Sequence, residues 1–414
     1  MHSQTTPWVI IVDPYSSGIV YAPAFAARGL HCLAVRSSAS VPERFLKGFQ
    51  AADFDGGMLY DADAALKHIG DAPVAAVVAG CEIGVAVAED LAARLGLQGN
   101  SPCTTERRRH KHQMQQALAL AGLRHIPTTL VRAQGEIEAL LGQLNQEDNY
   151  VVKPVNSAAT DGVVFARGRD GVAQALGRAA WDRINNLGEV NVGFVIQPFI
   201  QGPEYVVDMV AHAAGYTVAS LSVYRKIARN GSAFVYAGLE VLDAERAEYA
   251  ELIEYARQAA HALGMRQGPV HMELILSAKG PVMIEAGARL HGGVAPSLFK
   301  DCHAPDLVSL AIDAYLGVPI QTRVSCLAQA GHILFLINDR MQIFSGESRR
   351  LTDALHALPS YRGHRLFVAP GDTLAPTVDL ASCPGIVWLA HPSQETLRDD
   401  VRRCETLQLV EESE

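Results

Sequence analysis

The stretch from His271 to Gly293, HMELILSAKGPVMIEAGARLHGG, most narrows what this chain can become. Two strand-like runs flank Ala278-Lys279-Gly280, and a three-residue loop with glycine at positive φ is a common hairpin connection. In that register Ser277 pairs with Pro281, and Glu273 lies opposite Glu285. Opposed side chains share one face, with Cβ atoms about 5 Å apart. Two like charges there destabilise the hairpin unless a cation lies between them. A hard divalent ion held by oxygens and bridging substrate phosphates suits that gap. A slip of one residue would instead send the glutamates to opposite faces. Arg289, four residues after Glu285, suits charge that develops in phosphoryl transfer, although it could simply neutralise the glutamates. His271 shares the face of Glu273 and reads equally as packed support or as a substrate contact. His291-Gly292-Gly293 allows close backbone approach to a ligand.

Two further segments carry chemistry. In YVVKPVNSAATDGVVFA, Lys153 ends an apolar strand, where an ammonium is costly unless it meets an anion. The loop Asn156 to Gly162, with Ser157 and Thr160, has the small hydroxyl residues and flexible glycine of a flap over phosphates. Alone, the segment fits a surface lysine beside an ordinary turn. In FVIQPFIQGPEYVVDMV, a strand from Phe194 to Gln197 runs through Pro198 and Gly202-Pro203 into a strand opened by Glu204. Backbone groups left unpaired between two sheet layers could read an adenine edge, and Glu204 could accept from ribose hydroxyls. Alone, this too fits an inter-strand turn with a surface glutamate. Lys111 lies in RRRHKH, where Arg107, Arg108 and Arg109 read as a solvated helix start. Tyr224, Arg225 and Lys226 form a second basic spot after a strand.

The first hundred residues alternate strand and helix signals: WVIIVD, a helix from Ile19 to Arg28, LAV, PVAAVVAG, and a helix from Gly84 to Leu95. That alternation predicts a parallel sheet with ligands at the strand carboxyl ends, so the loops after Asp13 and after Gly80, with Glu82, are the places to look. A helix is expected over Ser101 to Gly122. From Tyr150 onward the runs suggest a mostly antiparallel α+β region, interrupted by a helix from Ala244 to Leu263. The last ninety or so residues suggest a smaller α+β piece.

Among 414 residues, Lys plus Arg is 35 and Asp plus Glu is 44, giving a net charge of −9. No overall positive field would attract nucleic acid. The seven scattered cysteines, with no C-x-x-C pair, read as reduced thiols in a cytoplasmic protein. No basic, apolar leader opens the chain and no run is long enough to span a membrane. G-x-x-x-x-G-K-[ST], G-x-G-x-x-G after the first strand, and G-x-S-x-G are absent, which disfavours P-loop NTPases, NAD-dependent dehydrogenases and α/β-hydrolases.

The order and spacing of these segments, from about Ile10 to about Leu316, resemble the ATP-grasp superfamily of carboxylate–amine ligases. The resemblance implies an α/β N-terminal domain (1–104), an α+β ATP-grasp domain (105–320) and a small C-terminal α+β module (321–414). Subdomains 105–200 and 201–320 would clamp ATP between them. Lys111 and Lys153 would hold its phosphates under the loop of Ser157, Thr160 and Gly162. Backbone from Gln197 through Phe199 and Ile200 would contact adenine, and Glu204 the ribose. Glu273 and Glu285 would bind Mg2+, or Mn2+ in its place. Arg289, with Lys153, would stabilise the acyl phosphate. His271, His291, Gly292, Tyr236 and Glu82 are candidates to touch the substrates. The sequence departs from the family in having Gly287 where an asparagine is frequent, a less glycine-rich phosphate loop, and His110 before Lys111.

Within the superfamily, IEAGARLHGG and the C-terminal extension look like bacterial L-amino-acid ligases that make dipeptides, including those of dipeptide-antibiotic pathways. The implied partners are small amino-acid-like molecules, with no nucleic acid and no membrane, and a second copy of the chain in a homodimer. The alternatives are a purine-pathway, formate- or bicarbonate-using ligase of the same superfamily, or an ATP-binding regulator without catalysis.

Overall fold

The computed structural model of the chain describes residues 6–38, 41–46, 48–56, 58–59, 61–158, 160–347 and 349–407. The expected parallel sheet is present. Strands β1 (Trp8–Val12), β2 (His31–Val35), β3 (Met58–Leu59) and β4 (Val74–Ala79) lie in the order β3-β2-β1-β4. Both faces of β1 are covered, which is why its sequence is apolar throughout. Ile10 and Val12 pack on one side with Leu91, while Val9 and Ile11 pack on the other with Tyr21 and Phe25. The chain order reverses between β1 and β4, the place where α/β sheets open a crevice. The two loops there cross closely: a Cβ on Gly18 would lie 2.4 Å from the Gly80 carbonyl oxygen.

Three expected helices differ, the one expected over Ala244 to Leu263 covering only Ala250–Ala262 after a 3-10 turn at Ala247–Tyr249. The segment after Asp13 begins as a 3-10 turn (Ser16–Val20) and becomes a helix only over Tyr21–Ala26. The helix expected over Ser101 to Gly122 is broken at His110, whose extended backbone (φ −108°, ψ 111°) separates Glu106–Arg109 from Lys111–Leu120. The break frees the Lys111 N–H to donate to the Val155 carbonyl at 3.0 Å. Tertiary pairing overrides local helix propensity here.

Four antiparallel strands follow, β5 (Thr129–Val131), β6 (Asn149–Pro154), β7 (Val164–Arg167) and β8 (Phe194–Pro198), in the order β5-β8-β6-β7. They have a core of their own, with Val131, Val152, Phe194 and Ile196 packed on Val172 and Leu176 of the helix Gly168–Arg178.

The central sheet contains β9 (Glu204–His212), β10 (Gly215–Arg229), β11 (Ser232–Leu242), β12 (Gly268–Ser277) and β13 (Gly280–Gly287), all antiparallel. Strands Ala330–Phe335, Gly385–His391 and Tyr361–Leu366 extend it in that order beyond β11. The C-terminal segment therefore continues the sheet that precedes it, while keeping a core of its own around Phe344, Leu355 and Leu389. Another core joins the first sheet to the central one, with Leu33 from the first sheet, Val85 from the helix Val85–Arg94, Met114 and Leu118 from the helix Lys111–Leu120, and Met209 and Met272 from the central sheet.

The β12–β13 hairpin reaches its expected pairing by an unexpected route. Ser277 pairs with Gly280, so the connection is one residue shorter than the pattern implies. Gly280 has the positive φ (93°) expected of it. Left uncorrected, that register would misalign the glutamates. The ladder runs from Leu274–Met283 directly to Glu273–Glu285, and the bulge at Ile284 restores the opposition. No described helix is long and apolar enough to cross a membrane.

Candidate active site

The central hairpin, β6 and the helix beginning at Lys111 converge on one cleft. Lys111 is buried, and its ammonium donates to the Ser157 carbonyl at 2.5 Å and to Glu285 Oε1 at 3.1 Å. Lys153 is also buried, and burial followed by repulsion from Lys111 lowers its pKa to about 8, against attraction from Glu285, Glu273 and Glu204. Ser157 Oγ donates to Asp161 at 2.7 Å, and the same carboxylate oxygen accepts from the Asn186 N–H at 2.8 Å. Thr160 and Gly162 both take positive φ (60° and 66°), giving the sharp turn of the loop between β6 and β7. Ala159 lies outside the described residues.

The segment joining the two sheets uses part of its polarity internally. Gln197 Nε2 donates to Thr128 Oγ1 at 2.8 Å, and the Phe199 N–H donates to the Asn149 carbonyl at 2.8 Å. The Phe199 ring stands edge-on to Phe165 at 5.1 Å, and Ile200 is half-buried. Glu204 Oε2 accepts from Lys226 Nζ at 2.7 Å, and Oε1 from the Tyr236 hydroxyl at 3.4 Å. Lys226 also sits 4.2 Å from the Tyr236 ring centroid. Burial outweighs this ion pair and raises the Glu204 pKa. Tyr224, Arg225 and Lys226 lie inside β10, which continues to Arg229, and not after a strand as the sequence suggests.

Glu273 and Glu285 are opposed, as the sequence pattern requires. Each leans on a cationic or protonatable neighbour, Glu285 on Lys111 and Glu273 Oε1 on His271 Nε2 at 3.3 Å. Burial raises the Glu273 pKa, but the hydrogen bond and charge of His271 outweigh it and hold the carboxyl low. Facing carboxylates are the donor set of a hard divalent cation. Arg289 Nε contacts Glu82 Oε2 at 3.3 Å, and the other oxygen of Glu82 lies 3.7 Å from Arg109 Nε. Glu82 thus comes from the loop after β4 to which the strand alternation points. A Cβ at Gly287 would lie 2.9 Å from Glu82 Oε2 and 3.3 Å from Arg289 Nε. The Glu82–Arg289 pair occupies the space that an asparagine at 287 would enter.

His291 is buried behind Arg289, and Gly292 is exposed with open space at its Cβ position. His291 Nδ1 and His271 Nδ1 each lie 2.9 Å from a different oxygen of Asp208. Asp208 is 1% exposed and also accepts from Ser220 Oγ at 2.9 Å. Burial raises the Asp208 pKa, but the charge of His291 and the hydrogen bonds from both histidines outweigh it and hold the carboxyl low. The sequence analysis missed this residue. The available signal was a carboxylate inside the apolar run YVVDMVA.

The reading of Arg107 to Arg109 as a solvated start needs correction at two positions. Arg108 is fully buried and holds Glu89 (2.6 and 2.8 Å), Thr104 and the carbonyls of Ser101 and Leu263. Arg109 is largely buried and pairs with Glu189 as well as Glu82. Distant carboxylates remove these guanidinium groups from water. Arg107 is exposed, as expected.

A lysine pair beside a small-residue loop, opposed carboxylates and an adjacent arginine thus meet in one place. The profile described as "ATP-grasp domain" matches residues 146–297. The chain is 30% identical to the dapdiamide A synthase of Enterobacter agglomerans over 408 residues, covering 95% of this chain and 94% of that protein. Among solved structures it resembles the L-amino acid ligase from Bacillus licheniformis (TM-score 0.74, 19% identity, 97% and 98% of the two chains). It also resembles an N5-carboxyaminoimidazole synthase from Aspergillus clavatus in complex with ADP and 5-aminoimidazole ribonucleotide (TM-score 0.70, 12% identity, 96% and 98%). The chain belongs to the ATP-grasp family. It is a carboxylate–amine ligase that uses ATP and a divalent metal to form amide bonds on small molecules, releasing ADP.

Proposed function

We propose that this ligase joins the carboxylate of one amino acid, or of an amino-acid-like acid, to the amine of another through an acyl phosphate. The observation that carries the reading is the opposition of Glu273 and Glu285 beside buried Lys111 and Lys153. The relative named for dapdiamide A synthesis supports the substrate class. Lys111 and Lys153 would hold the phosphates, the loop of Ser157, Thr160 and Gly162 would cover them, and the segment Gln197 to Glu204 would line the nucleoside. Glu273 and Glu285 would hold Mg2+, which when bound neutralises phosphate charge. Carboxylate and phosphate oxygens suit Mg2+, and Mn2+ can take its place on the same donors. Attack of the substrate carboxylate on the γ-phosphorus gives the acyl phosphate and ADP. The amine then attacks the acyl carbon and phosphate departs. Arg289, steered by Glu82, would stabilise the charge on the acyl oxygen and the departing phosphate. Tyr236, His271, His291 and Gly292 would line the substrate side. The division at 1–104, 105–320 and 321–414 belongs to this reading, with the core of β5 to β8 as the moving jaw.

The test is phosphate release with magnesium and ATP across pairs of amino acids, with products identified by mass. ADP, phosphate and a dipeptide-like product are expected; AMP and pyrophosphate would overturn the acyl-phosphate route. Glu285→Gln should abolish metal-dependent ATP binding in calorimetry as well as turnover. Unchanged binding would show that the opposed glutamates have only a structural role.

A further inference from the structure

The incoming amine must lose a proton before its nitrogen can attack, and the roles assigned so far leave no group to take it. Lys111 and Lys153 face phosphates, Glu273 and Glu285 face the metal, and Glu204 is bound by Lys226 and Tyr236. One chain of groups remains, running from the cleft into the interior. The hydroxyl of Tyr224, on half-buried β10, lies 3.2 Å from His291 Nε2. His291 Nδ1 lies 2.9 Å from Asp208 Oδ2, and Asp208 is fixed from its other sides by Ser220 and His271.

We propose that Tyr224, His291 and Asp208 form a proton relay for the amine substrate. This rests on the acyl-phosphate reading above. An ammonium N–H of the substrate gives its proton to the Tyr224 oxygen as the tyrosine hydroxyl proton passes to His291 Nε2. The freed lone pair on nitrogen forms the C–N bond, the C–O bond to phosphate breaks with its electron pair passing to the phosphate oxygen, and the departing phosphate takes the second N–H proton that amide formation releases, leaving as hydrogen phosphate. Tyr224 ends neutral and His291 ends as an imidazolium whose Nδ1–H remains on Asp208. Tyr224 is the catalytic residue, touching the amine, while His291 and Asp208 act through it.

The direction of transfer follows from the surroundings. Asp208 accepts the Nδ1–H of His291 and so leaves Nε2 as the acceptor. Groups facing His291 are Asp208 from β9, His271 from β12, Tyr224 from β10, Arg289 on its own segment, and Phe299 with His303 beyond it. Burial and the positive neighbours outweigh Asp208 and keep the imidazole pKa below its usual value, so the ring is neutral and ready near pH 7. Tyr224 pairs with Glu204 across β10 and β9, and its ring lies 4.7 Å from that of Tyr236, whose hydroxyl donates to Glu204 at 3.4 Å. The second histidine on Asp208 is not equivalent, because His271 Nε2 is committed to Glu273.

The experiment compares two acceptors. Hydroxylamine is already unprotonated at neutral pH and traps the acyl phosphate as a hydroxamate without needing a base. With an amino acid as acceptor, Tyr224→Phe and His291→Gln should each lower kcat about 100-fold. With hydroxylamine both variants should keep most of their rate. The amino-acid deficit should shrink as pH rises and the free amine fraction grows. Equal losses with both acceptors, or no loss with either, would overturn the relay. If the unaltered enzyme makes no hydroxamate, the acyl-phosphate reading itself falls and the relay with it.

Discussion

Lys153 sits where its charge is expensive in the empty protein and useful once phosphate arrives. Its pKa is lowered from 10.5 to about 8, so between those values the unfolded chain binds a proton that the folded chain does not. Stability therefore rises with pH across that window, and the penalty of the buried ammonium is fully present below about 8. Phosphate oxygens favour the protonated form. ATP affinity in magnesium-free buffer should consequently fall as pH rises through about 8, and Lys153→Met should flatten that dependence. Calorimetric titrations on either side of the window would decide it, and an identical slope in the variant would show that Lys153 does not meet the nucleotide. Arg108 illustrates the opposite economy, a guanidinium with every visible partner supplied by protein. Breaking such a buried pair costs about 3–5 kcal/mol. Arg108→Ala should therefore lower Tm by several degrees; a change of a degree or less in thermal unfolding would contradict that role.

The hairpin of β12 and β13 sets the site through its backbone. Its turn is shorter than the sequence pattern implies, and a bulge at Ile284 compensates. Gly287 then lets Glu82 approach Arg289 from the loop after β4. Gly287→Ala places a methyl carbon 2.9 Å from that carboxylate, so Glu82 must swing aside. Arg289 should lose its orientation and kcat should fall about 10-fold, with Tm little altered. A variant with unchanged kcat would show that Glu82 does not steer the arginine. Much of this was legible beforehand. The alternation in HMELILS and PVMIEAG fixed which side chains share a face, and K-P followed by small residues marked the loop. Turn length was not legible, because a bulge leaves no period of its own. Neither was the burial of Arg108, whose partners lie as far away as Leu263, nor the hub at Asp208, whose partners His271 and His291 arrive from β12 and from the segment after β13.

Across the whole molecule, one antiparallel sheet runs from β13 to the strand Tyr361–Leu366. Removing residues 321–414 would uncover β11, whose Gly238, Leu239 and Glu240 pair with Leu334, Ile333 and His332. An exposed apolar edge invites pairing between chains. Fragment 1–320 should therefore aggregate in size-exclusion chromatography; a monomeric fragment that still binds ATP would show that the C-terminal strands are dispensable. The Arg108 contacts have a consequence for synthesis on the ribosome. The guanidinium that secures the approach to Lys111 donates to a carbonyl 155 residues downstream. Until Leu263 has left the exit tunnel, the turn at Arg108 that closes the first quarter of the nascent polypeptide lacks one of its acceptors, so its final packing waits on translation of the middle of the message.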